Sequence, residues 1–269
     1  MAELVYPAII TLARGVFAMQ GLRFTLHGTE HVPRTGGAVM AINHVGYMDF
    51  TYAGLAARPA GRLVRFMAKQ EIFGHRVAGP LMRGMHHIPV DREAGAGSYR
   101  HAVKALRAGE IIGVFPEATI SRSFELKEFK AGAVRMAAEA GVPVLPTVIW
   151  GSQRVWTKGL PKRLGRTRVA ISVTVGEPFP VDPAADAMVE TNILRDRMDR
   201  LLHEAQEAYG DRPAPGADAW WQPARLGGGA PTPDEALALD RQDRRERIEA
   251  AKLARTKARK NDLDRRSQA

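Results

Sequence analysis

From Gly36 to about Gly210 the chain alternates short apolar runs with amphipathic stretches. Ala38-Val39-Met40-Ala41-Ile42 is apolar at every position, the pattern of a strand covered on both faces, and it ends at Asn43-His44. Asp49 is placed to cap a helix from Phe50 to Ala57. Leu63 to Ala68 predicts a second strand, and Val77 to Arg83 a helix. His87-Ile88-Pro89-Val90 reads as a short edge strand, because Pro89 has no N–H for a ladder. Val103 and Leu106 put a helical stripe on Tyr99 to Arg107, and Ile111 to Phe115 repeats the buried-strand pattern until Pro116 stops it. Phe129 to Ala140 is helical, Val142 to Ile149 is a strand, and Val169 to Val175 alternates as another. Ala185 to Tyr209 predicts a long amphipathic helix with Ile193, Leu194, Met198, Leu201 and Leu202 on one side.

Strands alternating with helices predict an α/β fold, a single domain over residues 22–210 with a central, mainly parallel sheet flanked by helices. Residues 1–21 carry an apolar run broken by Thr11, Arg14 and Gln20, shorter than the roughly 18–20 residues of a spanning helix. They lack the cleavage site of a secretory signal, and predict a helix that packs on the domain or lies in a bilayer interface. Residues 211–233 are rich in Pro, Gly and Ala and read as a linker, with Trp220-Trp221 as candidate interfacial anchors; Trp150 reads as core. Residues 234–269 read as a charged tail, either a solvated helix or disordered.

Composition narrows the chemistry. The absence of cysteine among the 269 residues excludes a thiolate nucleophile, a disulfide framework and any Cys-based metal site. A net charge of +10 calls for an anionic partner. From Asp240 onward eleven Lys or Arg face six Asp or Glu, so half of that excess lies in the tail. The tail lacks interleaved aromatics and carries many acids, which argues against nucleic acid, whereas the apolar N-terminus and the basic balance of the chain predict an anionic membrane surface.

Two His-x-x-x-x-Asp spacings occur, His44 with Asp49 and His86 with Asp91. His86 and Asp91 flank an extended segment whose odd offset puts them on opposite faces. His44 lies where a strand ends and a helix begins, so the Val45-Gly46-Tyr47-Met48 turn can fold Asp49 back onto the imidazole. Such a pair is a general base with its orienter, or a turn bond that only closes the loop. Val90-Asp91-Arg92, Phe115-Pro116-Glu117-Ala118-Thr119 and Phe129-Lys130-Ala131-Gly132-Ala133 add charged residues near strand ends or at a helix start. In a parallel sheet the strand carboxyl ends gather at one edge, where His44, Arg92 and Glu117 would converge with Lys130 nearby as a phosphate contact.

The ordered set Asn43-His44-x4-Asp49, Val90-Asp91-Arg92, Phe115-Pro116-Glu117-Ala118-Thr119 and Val142-Pro143-Val144-Leu145-Pro146 resembles the four blocks of the glycerolipid acyltransferase family, over roughly Gly21 to Pro180. The resemblance implies the glycerol-phosphate acyltransferase fold and transfer of a fatty acyl group to a glycerolipid hydroxyl. Lysophosphatidate is the leading acceptor, and glycerol 3-phosphate or a glycolipid the alternatives. The donor is acyl-CoA or acyl-carrier protein, with no cofactor and no metal, and the location the cytoplasmic membrane face. It makes His44 the base and Asp49 its orienter, and assigns Arg92, Glu117, Thr119 and Lys130 to the acceptor region. The third block departs from the usual Glu-Gly-Thr-Arg, since Ile120 stands where the guanidinium is expected; Arg122 is its candidate substitute. A membrane-binding protein without catalysis, and a hydrolase using water as acceptor, are the other readings.

Overall fold

The computed structural model describes residues 5–91, 95–214, 216 and 218–267. Its helices are α1 (Val5–Met19), α2 (Asp49–Ala56), α3 (Gln70–Phe73), α4 (Ala78–Gly84), α5 (Ala96–Arg107), α6 (Gly132–Ala140), α7 (Ala187–Glu207) and α8 (Pro233–Ser267). Its strands are β1 (Arg23–His27), β2 (Ala38–Ile42), β3 (Val64–Lys69), β4 (Ile88–Val90), β5 (Ile111–Val114), β6 (Val144–Trp150) and β7 (Ala170–Val175). The strands form one sheet in the order β1-β7-β6-β2-β5-β3-β4. From β6 to β4 every pairing is parallel; β7 turns antiparallel against β6, and β1 pairs parallel with β7.

The central strand shows why a sheet forms. Side chains along a strand alternate between its faces. In β2, Val39 and Ala41 enter one apolar layer with Ala102, Val103 and Leu106 of α5 and Leu194, Met198 and Leu202 of α7. Ala38, Met40 and Ile42 enter the opposite layer with Phe17 of α1 and Tyr52, Ala53 and Ala56 of α2. Both faces are covered, so β2 is apolar throughout and fully buried. Gly113 in β5 makes room beside it: a Cβ there would stand 2.6 Å from the Phe66 ring.

Several expectations need correction. Ile193 is 39% exposed, and the buried line of α7 runs through Leu194, Met198 and Leu202. Helix α6 begins at Gly132, which leaves Lys130 before the helix instead of in its first turn. Asp49 is the first residue of α2, behind Met48, and its carboxylate turns back toward the preceding loop instead of capping its own helix. Strand β1, unseen in the chain pattern, is an edge strand whose alternate residues stay exposed.

The flanking segments lie on the domain. In α1, Tyr6 and Phe17 are buried, whereas Val5, Leu12, Val16 and Met19 are exposed. Among the described residues no helix is long and apolar enough to cross a membrane. Within the Pro- and Gly-rich stretch after α7, Trp221 packs inward: it is 6% exposed, its ring 5.8 Å from that of Tyr209, with the Arg154 guanidinium 4.5 Å above it. Trp221 is therefore a packing residue, not an interfacial anchor. Trp150 is core, at 1% exposed. The acidic first turns of α8 reach the loops beside β5 and β6 through Asp240 and Asp243.

Candidate active site

Three adjacent strands, β6, β2 and β5, end on the same edge of the sheet. Beyond their carboxyl ends come Ser152, His44 and Glu117 in that spatial order. Asn43, fully buried, anchors the end of β2: its side chain accepts from Ile149 N–H (2.7 Å) and donates to Ile149 C=O (3.1 Å). The chain then turns sharply. A Cβ at Gly46 would lie 2.9 Å from Ser152 Oγ and 3.2 Å from Asp49 Oδ1, so only glycine fits the turn without displacement.

Asp49 is the hub of that turn, with no exposed surface. Its Oδ2 accepts from the backbone N–H groups of Val45 and Gly46, both at 2.8 Å, and lies 3.0 Å from His44 Nδ1. Ser152 Oγ donates to the other oxygen, Oδ1. An ionised carboxylate only accepts, so the His44 proton resides on Nδ1 and Nε2 is left with its lone pair. The imidazole stacks on Phe115, with ring centres 4.2 Å apart at 28°, and is 20% exposed at the sheet edge. The geometry is that of a positioned base with an open basic nitrogen.

Glu117 braces the same turn from β5. Its carboxyl accepts from His44 N–H (2.8 Å) and Lys127 N–H (3.1 Å). Burial pushes the Glu117 carboxyl up to about 8, against the opposing pull of those N–H groups and of the Lys127 charge. Glu117, expected in the acceptor region, turns its carboxyl to backbone N–H groups and holds the His44 turn. The linkage has a definite sign. The folded carboxyl holds a proton that the unfolded chain, with the ordinary value of 4.5, releases earlier. Its contribution is full below pH 4.5 and is lost as pH rises through about 8. The unfolding free energy of the wild type, measured relative to Glu117→Gln, is expected to fall across that window; a constant difference would contradict the assignment.

The residue after Glu117 carries an unusual backbone. Ala118 has φ +62°, where an L side chain crowds the following carbonyl and glycine does not. This is the position where the resembling family usually has Gly. Ala118→Gly is expected to stabilise the protein by about 0.5–1 kcal/mol, the relieved strain exceeding the added chain entropy, as chemical denaturation would show.

The remaining expected residues divide. Thr119 is exposed and its hydroxyl accepts from Lys127 Nζ at 2.7 Å. Ile120 is buried, at 4% exposed, so the third block presents an apolar group inward where a guanidinium was anticipated. Arg122 is present close by, but its guanidinium pairs with Asp243 of α8 at 2.9 Å. Lys130 is exposed, its backbone N–H donating to Pro116 C=O. Arg92 lies outside the described residues. Ser152, absent from the sequence reading, is completed only by the fold: a serine after Gly151 carries no local signal, and its partner Asp49 stands 103 positions earlier.

Comparison with known proteins adds an independent line. The family profile described as Acyltransferase matches residues 23–150, which contain the His44 turn, Glu117 and β2 to β6. Residues 23–150 are thus similar to acyltransferase domains over just under half of the chain. The chain is 34% identical over 127 residues to a 1-acyl-sn-glycerol-3-phosphate acyltransferase of Bacillus subtilis, covering 47% of this chain and 62% of that protein. It is 30% identical over 148 residues to one from Limnanthes douglasii, covering 54% and 51% respectively. The matches thus span about half to three-fifths of these relatives. The solved 1-acyl-sn-glycerophosphate acyltransferase PlsC from Thermotoga maritima shares the fold, with a TM-score of 0.61 and 22% identity over 77% of this chain and 81% of that one. The matched residues therefore hold β1 to β6 and the His44 turn, while β7, α7 and α8 lie outside them.

Proposed function

We propose that the protein is an O-acyltransferase that moves a fatty acyl group from an acyl thioester, acyl-CoA or acyl-carrier protein, to the free hydroxyl of lysophosphatidate. The observation that carries this is the buried Asp49 hub holding His44 Nδ1–H and leaving Nε2 at the open sheet edge. Support comes also from the family of the domain and from the names of its relatives.

In this reading Nε2 takes the acceptor proton as the hydroxyl oxygen attacks the thioester carbonyl. The C–S bond of the tetrahedral intermediate then breaks, the thiolate leaves, and His44 returns the proton to sulfur. The enzyme needs no acyl-bearing nucleophile of its own. Ser152, the nearest hydroxyl on the hub, is committed to Asp49. Buried Ile120 favours a panel of acceptors as the test. Purified protein should show its highest kcat/KM with lysophosphatidate; a clear preference for glycerol 3-phosphate or a glycolipid would reassign the acceptor.

The acceptor is a membrane lipid, and α1 offers the docking face at the cytoplasmic surface. Val5, Leu12, Val16 and Met19 form an exposed apolar stripe, Val5 two helix turns from Leu12 and the others one turn apart, on a chain of net charge +10. Replacing Leu12 and Met19, 70% and 72% exposed, with serine removes apolar area without touching the core. Binding to vesicles containing anionic lipid should weaken about tenfold in sedimentation assays. Unchanged binding would exclude this face.

A further inference from the structure

Three cations stand on the loops that brace the His44 turn. Arg122 follows Ser121, whose N–H donates to His44 C=O at 2.7 Å. Lys158 follows Thr157, whose hydroxyl donates to Val45 C=O at 2.7 Å. Lys127 gives its N–H to Glu117 and its ammonium to Thr119. All three are largely shielded, their side chains 14%, 15% and 24% exposed in the order Arg122, Lys158, Lys127. Such a concentration of positive charge is unfavourable unless an anion offsets it.

The anion comes from outside the acyltransferase domain. Asp240 of α8 receives Lys127 Nζ and Lys158 Nζ, each at 2.5 Å. Asp243, one turn further, receives Lys158 Nζ and Arg122 Nη2, each at 2.9 Å. Burial works against ionisation of Asp240, but hydrogen bonds and charge from Lys127 and Lys158 outweigh it and hold its carboxyl below the usual range. Hydrogen bonding from Lys158, then the Lys158 and Arg122 charges, do the same for Asp243 against a smaller effect of burial. Two carboxylates thus deliver about two negative charges and several oxygens to one cationic pocket. The match is incomplete, because Arg122 Nε is buried with no hydrogen-bond partner.

A phosphomonoester presents the same charge, about −2 near neutral pH, on three terminal oxygens of one compact group, which an arginine fork and two ammoniums satisfy together. We infer that Asp240 and Asp243 of α8 occupy the Arg122–Lys127–Lys158 cluster as a resident stand-in for the acceptor's phosphomonoester, and are displaced when that headgroup binds. The inference rests on the acceptor reading above and adds to it Lys127, Lys158 and a competing arm. The arm is suited to exchange: its hold on the domain is made of ion pairs whose cations a phosphate group satisfies equally, so one anion can replace the other. Among the described side chains of α8 the buried apolar group is Ala236.

The test uses the full chain and hydrogen exchange over residues 233–247, followed at constant ionic strength with inorganic phosphate, lysophosphatidate or uncharged monoacylglycerol. Lysophosphatidate should raise exchange there, since a highly charged helix loses protection once undocked. Release by inorganic phosphate as well would show that the free anion suffices; release by lysophosphatidate alone would show that the lipid-borne phosphate is required. Equal release by monoacylglycerol, or none by lysophosphatidate at saturation, overturns the proposal. In parallel, Asp240→Asn/Asp243→Asn should exchange rapidly without ligand and show a KM for lysophosphatidate about tenfold lower, with kcat changed less than about twofold. An unchanged or raised KM also overturns it. The two readings fail separately. Phosphate-dependent release without acyl transfer would leave the site standing and remove the proposed reaction; transfer without release does the reverse.

Discussion

Replacing His44 with Ala is expected to lower the rate of acyl transfer about 10³-fold while leaving the protein folded. The two outcomes separate because the backbone and side chain of His44 have different duties. Its N–H is held by Glu117 and its C=O by Ser121 N–H, and both bonds survive truncation at Cβ. The imidazole is partly exposed and contributes one face to Phe115. What disappears is the basic nitrogen. Turnover and thermal unfolding, measured on the same preparation, check both halves; turnover near that of the wild type would show that the His44–Asp49 bond only closes a loop.

Asp49→Ala should damage stability and activity together. Removing the carboxylate strands the N–H groups of Val45 and Gly46, the hydroxyl of Ser152 and the His44 Nδ1–H inside a site with no exposed surface at Asp49 itself. Buried donors without acceptors cost about 1–3 kcal/mol each, and local rearrangement recovers part of that, so a net loss of about 3–5 kcal/mol is expected. The turn would no longer hold the imidazole, and transfer should fall at least as far as in His44→Ala. Asp49→Asn keeps one oxygen and the volume, so it should recover much of the stability but little of the rate. Urea denaturation with turnover assays reads both. An Asp49→Ala protein of wild-type stability would contradict the hub.

The buried strands were legible because apolar runs such as Ala38–Ile42 and Ile111–Val114 have few other uses in a charged chain, and their parallel pairing followed from the helices between them. The His44–Asp49 contact was legible because it is local, spanning five positions across a turn. Long-range partners were not. Ser152 and Asn43 work through contacts about a hundred positions away, Asn43 with Ile149 and Ser152 with Asp49, which no local pattern encodes. Charge alone did not show which partners the fold supplies. Glu117 takes backbone N–H groups and Arg122 an aspartate of α8, because a buried charge takes whatever partner the fold brings nearest. Trp221 was misread for a related reason: the composition around it signals a turn-rich path, which says nothing of where that path is pressed against the core.

The central claim is that an acceptor hydroxyl, activated by His44, attacks the thioester directly. Purified protein supplied with an acyl thioester, with and without lysophosphatidate, tests it most directly when thioester loss and product mass are followed together. The account predicts thioester cleavage that depends on the acceptor and yields lysophosphatidate heavier by one acyl chain. Cleavage at the same rate without acceptor, with free fatty acid as product, or no cleavage in either case, would contradict it.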